Sequence, residues 1–289
     1  MERPAPSSEN AWLRAGRFRL MLDRALIMGI VNLTPDSFSD GGRFDDPGRA
    51  LAHAQRLTDE GADILDLGAE SSRPGAPPVP ADEQWRRLAP VLARLAQGPL
   101  PVSVDTRDPE VMRRAIDAGA AMINDIGALC APGALDAVAG SGVALCMMHM
   151  RGDPLTMQTA PVYRDVVSEV GAFLQSRVAA AMSVGVARER LVVDPGIGFG
   201  KTLEHNLALM RAAGGLAERC GVPVLVGVSR KSTLGALTGR SVNDRLAASV
   251  AAALAAVVQG ARLVRVHDVA ATNDAMRVWQ AVCGPAREP

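Results

Sequence analysis

Eight short apolar stretches of the chain each end in polar side chains that could bind a ligand or take part in catalysis. These side chains are Asn32, Glu70, Asp105, Asn124, His149, Asp194, Ser229 with Lys231, and Arg265 with His267. A single aspartate after a strand often only caps the next helix, and a single histidine or asparagine often only completes a buried hydrogen-bond network. The repetition of the pattern favours one shared site over eight separate structural roles.

The types of these side chains predict the ligand. Asp105, Asn124 and Asp194 offer carboxylate and amide acceptors with one amide donor. Because a carboxylate can accept two parallel N–H bonds, this trio suits a flat heterocycle with an amino-pyrimidinone edge. The cationic and polar side chains suit an anion such as a phosphate or pyrophosphate. They are Asn32, Arg73, Lys231, Arg265 and His267.

Other motifs for common chemistry are weak or missing. The segment GIGFGK at 196–201 lacks the spacing of a P-loop, so its glycines are interpreted as allowing close backbone approach, with Phe199 as a site wall. No His, Cys and carboxylate set has zinc-site spacing, and no G-x-S-x-G of a serine hydrolase occurs.

The apolar spacing predicts alternating elements that would position these groups. Strands are predicted at 25–31, 62–67, 101–105, 121–124, 143–148, 191–193, 223–228 and 262–266, and helices at 46–60, 82–96, 110–118, 133–139, 165–184, 203–213, 243–259 and 273–283. Eight strand–helix units in 289 residues favour a single (β/α)₈ TIM barrel, whose strand ends converge on one face. We expect an N-terminal extension over 1–24, with a strand or hairpin at 17–24 under the barrel, and a catalytic domain over 25–289.

Composition excludes some classes of protein. Lys plus Arg and Asp plus Glu balance at 31 each, and aromatic residues make up 3%, which argues against binding to nucleic acid or a membrane surface by bulk charge or stacking. The four cysteines show no C-x-x-C spacing, as expected in a reducing compartment. With no signal-peptide pattern and no apolar stretch of about 20 residues, we predict a cytoplasmic protein.

Eight motifs together carry a resemblance to a known family. They are MGIVNLTPDSFSDGG (28–42), LDLGAESSRPGA (65–76), VSVDT (102–106), INDI (123–126), MHM (148–150), DPGIGFGK (194–201), VGVSRKS (226–232) and RVHDV (265–269). In this order they resemble the dihydropteroate synthase family of the bacterial folate pathway. The resemblance implies a (β/α)₈ barrel that joins 6-hydroxymethyl-7,8-dihydropterin pyrophosphate to p-aminobenzoate and releases pyrophosphate with Mg²⁺.

The resemblance also implies roles for residues, position by position. It assigns to the pterin Asp105, Asn124, Asp194, Phe199, Gly227, Lys231 and Arg265. It assigns to pyrophosphate Asn32, Arg73, Arg265 and His267, with Asn32 near Mg²⁺. It assigns to p-aminobenzoate Phe38, Ser72, Arg73, Pro74, Phe199, Ser229, Lys231 and Ser232. The catalytic set is Asn32, Asp40, Arg73, Lys231, Arg265 and His267, in which Asp40 would approach a pterin cation. Ser72 stands where the family more often has Thr, and Ala69 where it often has Gly.

The implied reaction is a dissociative substitution in which pyrophosphate leaves before the amine attacks. Two alternatives share the pterin pocket: a methyltetrahydrofolate-dependent methyltransferase and a non-catalytic pterin-binding protein. The cationic residues of 229–232 and 265–267 count against both, because neither needs an anion site.

The family also implies inhibition by sulfonamides and a homodimer. The Ala-rich helix predicted at 243–259 fits a dimer, since it is apolar nearly all round, although such a helix could also lie within its own barrel's shell.

Overall fold

A computed structural model describes residues 12–34, 47–71 and 75–283 of the chain. Eight strands form one parallel sheet in the order β8-β7-β6-β5-β4-β3-β10-β9. They are β3 Leu26–Asn32, β4 Ile64–Gly68, β5 Val102–Asp105, β6 Met122–Asp125, β7 Ala144–Met148, β8 Leu191–Asp194, β9 Leu225–Val226 and β10 Leu263–Val266. A parallel bridge between Val193 and Val224 joins the two edge strands, which nearly closes the barrel and confirms the predicted fold.

Helices surround this sheet. In the described part of the chain they are α1 Pro47–Asp59, α2 Ala81–Leu95, α3 Pro109–Asp117, α4 Ala134–Val138, α5 Val166–Ser183, α6 Leu203–Arg211, α7 Ala213–Cys220, α8 Ser232–Thr238, α9 Leu246–Val258 and α10 Val269–Cys283. Local sequence explains where several begin. For example, the carboxylate of Asp108 accepts the amides of Glu110 and Val111 at 2.8 and 3.2 Å and so caps α3. None of the helices described here is long and apolar enough to cross a membrane.

An antiparallel hairpin of β1 Trp12–Ala15 and β2 Phe18–Met21 precedes the barrel. Its Leu13 and Ala15 belong to a buried cluster with alternate strand residues of the barrel, including Met28 and Ile64. A larger cluster lies between the strands and the helices. Since successive strand residues point to opposite faces, the first cluster fills the barrel interior at the end where the strands begin.

This inner cluster also fixes which polar residues point inward. Side chains of a strand share a face at every second position, so the residues two places after the inner-core residues share that inner face. The pairs are Ile64 and Asp66, Met122 and Asn124, Val192 and Asp194, and Leu263 and Arg265. The apolar residues therefore form a floor, and the polar residues lie above it toward the carboxyl ends of the strands.

Several elements differ from the sequence-based expectation. The N-terminal hairpin begins at Trp12 and ends at Met21, whereas it was predicted over 17–24. A second helix, α7, follows α6 after a break at Ala212, where the apolar pattern had predicted only one helix. Gly214 and Gly215 in the first turn of α7 weaken any local helical signal, and Gly214 N donates to Gln259 O at 2.7 Å. β9 is two residues long, Leu225–Val226, instead of the predicted six.

Candidate active site

The carboxyl ends of the strands bring the predicted residues to one end of the barrel. Asn32, Asp105 and Asp194 are the last residues of β3, β5 and β8, while Asn124 and Arg265 lie one residue before the ends of β6 and β10. Five predicted site residues lie outside the described residues, namely Phe38, Asp40, Ser72, Arg73 and Pro74.

Arg265 links two carboxylates across the inside of the barrel. Its Nε donates to Asp66 Oδ2 at 2.6 Å, and its Nη2 donates to Asp105 Oδ2 at 3.0 Å. Although burial disfavours the charge, the carboxylates of Asp66 and Asp105 raise the pKa of Arg265 above its ordinary value. The guanidinium is therefore a fixed cation at the base of the site.

Asp66 is a site residue that the sequence reasoning missed. It sits in the apolar run ADILDL, which we interpreted only as a buried strand. Its side chain is fully buried, and its Oδ2 accepts both Arg265 Nε and, at 3.2 Å, Asn124 Nδ2. The sequence did contain a signal for this role, because Asp66 is a charged residue within an otherwise apolar strand. It lies two residues before Gly68 and therefore on the same face of the strand.

The carboxyl groups of the site are held where water is scarce. Burial raises the pKa of Asp105 to about 7, although the charge of Arg265 lowers it. Burial also raises the pKa of Asp194, against the opposing effect of Lys231. Asp194 Oδ1 accepts Gly196 N at 2.7 Å. Two buried carboxyl groups in an apolar setting gain most from a ligand that donates hydrogen bonds to them.

Lys231 lies opposite Asp194. Its Nζ donates to Ile197 O at 2.6 Å and lies 4.6 Å from the ring centroid of Phe199. Burial lowers the pKa of Lys231 to about 8, while Asp194 raises it. A Cβ atom at Gly227 would stand 3.6 Å from Arg265 Cβ and 3.9 Å from Lys231 Nζ. The absence of a side chain at Gly227 thus leaves room beside both cations.

The GIGFGK segment is fixed by a second buried lysine. Lys201 Nζ lies 3.0 Å from His149 Nδ1 and donates to His149 O at 3.2 Å and to Phe199 O at 2.9 Å. Burial lowers the pKa of Lys201 to about 7 and that of His149 to about 3. Gly196 has φ of 69°, and a Cβ there would lie 2.0 Å from His149 O. His149 therefore supports the loop that carries Phe199, and the glycine permits close backbone approach as predicted.

Glu70 was grouped with the shared site, but the structure gives it a different role. Its Oε1 pairs with Arg107 at 3.1 Å, and its Oε2 accepts Gln84 Nε2 at 3.0 Å and Val79 N at 3.3 Å. The side chain ties together the connection from β4 to α2. Its partners come from distant parts of the chain, so no local pattern identified them.

The anion-binding candidates lie at the ends of β3, β9 and β10. Ser229 Oγ is 3.0 Å from His267 Nδ1, and His267 N donates to Ser229 Oγ at 3.2 Å. Asn32 is half-buried. Gly68 has no side chain, and a Cβ atom placed there would lie 3.7 Å from Asn32 Oδ1. Ser232 begins α8 directly after Lys231. The structure therefore brings these cationic and polar groups to the same barrel end as the carboxyl groups.

Comparison with known proteins agrees with this arrangement. A family described as "Pterin binding enzyme" matches residues 28–267. The dihydropteroate synthase of Neisseria meningitidis serogroup B is 50% identical over 281 residues, which cover 95% of this chain and 98% of the relative.

Three solved structures are similar over nearly their whole length. A Xanthomonas albilineans dihydropteroate synthase with 4-aminobenzoic acid has a TM-score of 0.90 and 53% identity, covering 96% of this chain and 100% of that one. One from Burkholderia cenocepacia, complexed with 7,8-dihydropteroate, has a TM-score of 0.86 and 49% identity, covering 94% and 96%. A Yersinia pestis enzyme with a sulfonamide drug has a TM-score of 0.89 and 42% identity, covering 95% and 100%.

Proposed function

Because this chain belongs to the family of pterin-binding enzymes, we infer its chemistry from that premise. It condenses 6-hydroxymethyl-7,8-dihydropterin pyrophosphate with p-aminobenzoate and yields 7,8-dihydropteroate and pyrophosphate. The observation that carries this most directly is the buried set of acceptors around Arg265, since it matches the donor edge of a pterin.

The pterin is proposed to bind above the apolar floor, with its amino-pyrimidinone edge toward Asp105, Asn124 and Asp194. All three lie on the inner face, and burial raises the pKa of both aspartates. Ligand N–H groups would supply the hydrogen bonds that water supplies poorly there. Arg265 would lie against the ring, with Phe199 and Gly227 forming the adjoining walls.

Pyrophosphate is proposed to bind beside His267 and Asn32, with Arg265 reaching the same group. Arg73, assigned to this group by resemblance, lies outside the described residues. The donor set fits Mg²⁺, because this ion commonly takes one or two protein oxygens together with substrate phosphates and waters. Asn32 Oδ1 is such an oxygen, and no group of three or more His, Cys, Asp or Glu residues in the described part forms a separate metal site. Bound there, the ion would neutralise charge on the leaving group.

The substitution is proposed to be dissociative. The bond from the pterin methylene carbon to the pyrophosphate oxygen breaks first, and its electron pair leaves with pyrophosphate. We propose that Arg265, Lys231 and His267 stabilise that developing negative charge. The carbon cation is delocalised over the pterin ring, against Asp105 and Asp194. The lone pair of the p-aminobenzoate nitrogen then forms the new C–N bond, and the nitrogen loses a proton to water or to the released pyrophosphate. No side-chain nucleophile is required.

The p-aminobenzoate site is proposed to lie over Lys231, Ser232 and Ser229, against Phe199. The other assigned residues of this site, Phe38, Ser72, Pro74 and Arg73, lie outside the described residues, as does Asp40. The X. albilineans relative holds 4-aminobenzoic acid and the Y. pestis relative holds a sulfonamide drug. We therefore propose that sulfonamides inhibit this enzyme by occupying the same site.

A homodimer is proposed through the face formed by α8, α9 and α10. The barrel-facing side of α9 is small and buried, with Ala252, Ala253 and Ala256, while Leu246 and Val258 remain exposed. Helix α10 adds the exposed side chains of Val278 and Val282. Grouped exposed apolar side chains commonly mark an interface. Sedimentation of the protein would test this, and a monomer at micromolar concentration would refute it.

One assay tests the reaction and the alternatives together. We expect release of pyrophosphate that depends on both p-aminobenzoate and Mg²⁺. A methyltransferase or a non-catalytic pterin-binding protein would release none. Release that is independent of p-aminobenzoate would show hydrolysis of the pterin substrate instead of condensation.

A further inference from the structure

We propose that Asp66 is a positioning residue that sets the specificity of the pterin pocket, by fixing the amide of Asn124 and the guanidinium of Arg265. This inference rests on the proposed function, since it concerns how the same pocket recognises its pterin. Asp66 lies deeper than the residues assigned to the ligand and acts through two of them.

The hydrogen-bond partners of Asp66 lie on two strands that are not its neighbours. Asp66 Oδ2 accepts Arg265 Nε at 2.6 Å and Asn124 Nδ2 at 3.2 Å. These two donors come from β10 and β6, which are not neighbours of β4 in the sheet. A single oxygen therefore joins three strands across the barrel interior. If Asp66 only stabilised β4, partners on the adjacent strands would suffice.

The carboxylate of Asp66 also fixes the orientation of the Asn124 side-chain amide. The two ends of an amide side chain have similar shapes, and its environment decides which end points where. Asp66 Oδ2 already accepts Arg265 Nε, and an oxygen that accepts from a guanidinium in this way also requires the NH₂ end of Asn124. The Oδ1 end is thereby left to face the ligand as an acceptor. Asp66 thus determines that the pocket demands a donor, such as the amino group of a pterin, at this position.

The carboxylate of Asp66 is also unfavourable for the stability of the fold. Asp66 is 0% exposed, and its second oxygen, Oδ1, has no hydrogen-bond partner among the described residues. The in-register neighbour on β5, Ser103, is equally buried, and its Oγ also lacks one in that part of the chain. Burial of an incompletely satisfied charge is unfavourable for folding, and a well-packed apolar side chain would often be better. A role in the site explains why the position carries a carboxylate.

The test uses the full-length protein and two ligands, 6-hydroxymethylpterin and 6-hydroxymethyllumazine. The lumazine has a carbonyl oxygen where the pterin has its 2-amino group, and an N–H at N1 where the pterin has an acceptor, so the two ligands differ only in the donors and acceptors of this edge. The variants are Asp66→Leu, which keeps the branching of the side chain but removes the acceptor, and Asp66→Asn, which keeps a neutral acceptor. The matched control is Asp63→Asn, because Asp63 also pairs with an arginine, Arg24, at 2.5 Å but lies three residues earlier, before β4 begins.

Calorimetry should show that wild type prefers the pterin strongly over the lumazine. In Asp66→Leu, pterin affinity should fall by about tenfold to a hundredfold. Its preference over the lumazine should shrink by at least about tenfold, because Asn124 can rotate and present Nδ2 to a carbonyl. Asp66→Asn should lose affinity but keep the preference, since its amide oxygen can still accept from Asn124. Asp63→Asn should keep both.

If Asp66→Leu does not fold, Asp66→Ser replaces it with the same expectations, since its hydroxyl is too short to reach both donors. A variant without the acceptor that keeps wild-type affinity and wild-type preference would overturn the inference. So would an equal loss of preference in Asp63→Asn, which would indicate a general effect on stability. Wild type that binds no pterin at all would instead refute the proposed function.

Discussion

Replacing Asp194 by Asn is the most direct perturbation of the proposed pterin pocket. Asp194 is 5% exposed, and its Oδ1 accepts Gly196 N at 2.7 Å. This backbone N–H still requires an acceptor in the Asp194→Asn variant, so the amide oxygen must stay there. The amide NH₂ then takes the place of the other carboxylate oxygen and faces the N–H edge of the ligand. A donor would meet a donor in a buried site.

The expected size of the effect follows from two terms. A hydrogen bond to a charged group contributes about 1.5–3 kcal/mol, and a buried donor left unsatisfied costs about 1–3 kcal/mol more. Together they amount to about 2.5–6 kcal/mol, or roughly a 10²- to 10⁴-fold loss of pterin affinity. Lys231 would also lose the carboxylate that raises its pKa, so its charge would become less favourable.

Isothermal calorimetry with 6-hydroxymethylpterin measures this loss. The matched control is Asp108→Asn, which makes the same chemical change at the cap of α3, where Asn and Asp are about equally favourable. The control should bind the pterin as wild type does. Affinity of Asp194→Asn within a few-fold of wild type, in a protein that melts normally, would remove Asp194 from the pterin pocket.

Three further predictions test other parts of the site. Burial holds the pKa of Asp105 at about 7, so the carboxylate that should bind the pterin is lost as the pH falls below about 7. Pterin affinity, measured from pH 8.5 down to pH 5.5, should therefore decline. The Asp105→Asn variant should not show this dependence on pH. His267→Ala should weaken pyrophosphate binding more than pterin binding, whereas Lys231→Ala should weaken both pterin and p-aminobenzoate binding; unchanged pyrophosphate affinity in the His267 variant would contradict its assignment. Gly196→Ala should abolish pterin binding, which calorimetry would show, because its Cβ would stand 2.0 Å from a backbone oxygen. The control is Gly185→Ala, since Gly185 also has a positive φ, 86°, but a Cβ there would have nothing within 4 Å. This control should lose only some stability in thermal melting and should still bind the pterin.

Much of the fold follows from local patterns. The eight apolar runs and the helices between them depend on side-chain period and on caps, both of which act over a few residues. Asp108 before Pro109 is an example, since it caps α3 as the sequence indicates. The ends of the elements were predicted less accurately. The predicted start of α10 at 273 was wrong by four residues, because Val269 is already helical and buried.

The sequence by itself determined that polar groups stand at the ends of parallel strands, and its motifs identified the family. Only the tertiary structure decided how those groups are paired. Closure of the barrel brings Asp66 to Arg265, 199 residues away in sequence, and gives the site a carboxylate that the sequence had placed only within a buried strand. It also directs Glu70 to Arg107 and His149 to Lys201, away from direct roles in the ligand site. The physical reason is that strand period fixes the face to which a side chain points, whereas its partner across the barrel depends on strand order and register, which arise from contacts distant in sequence.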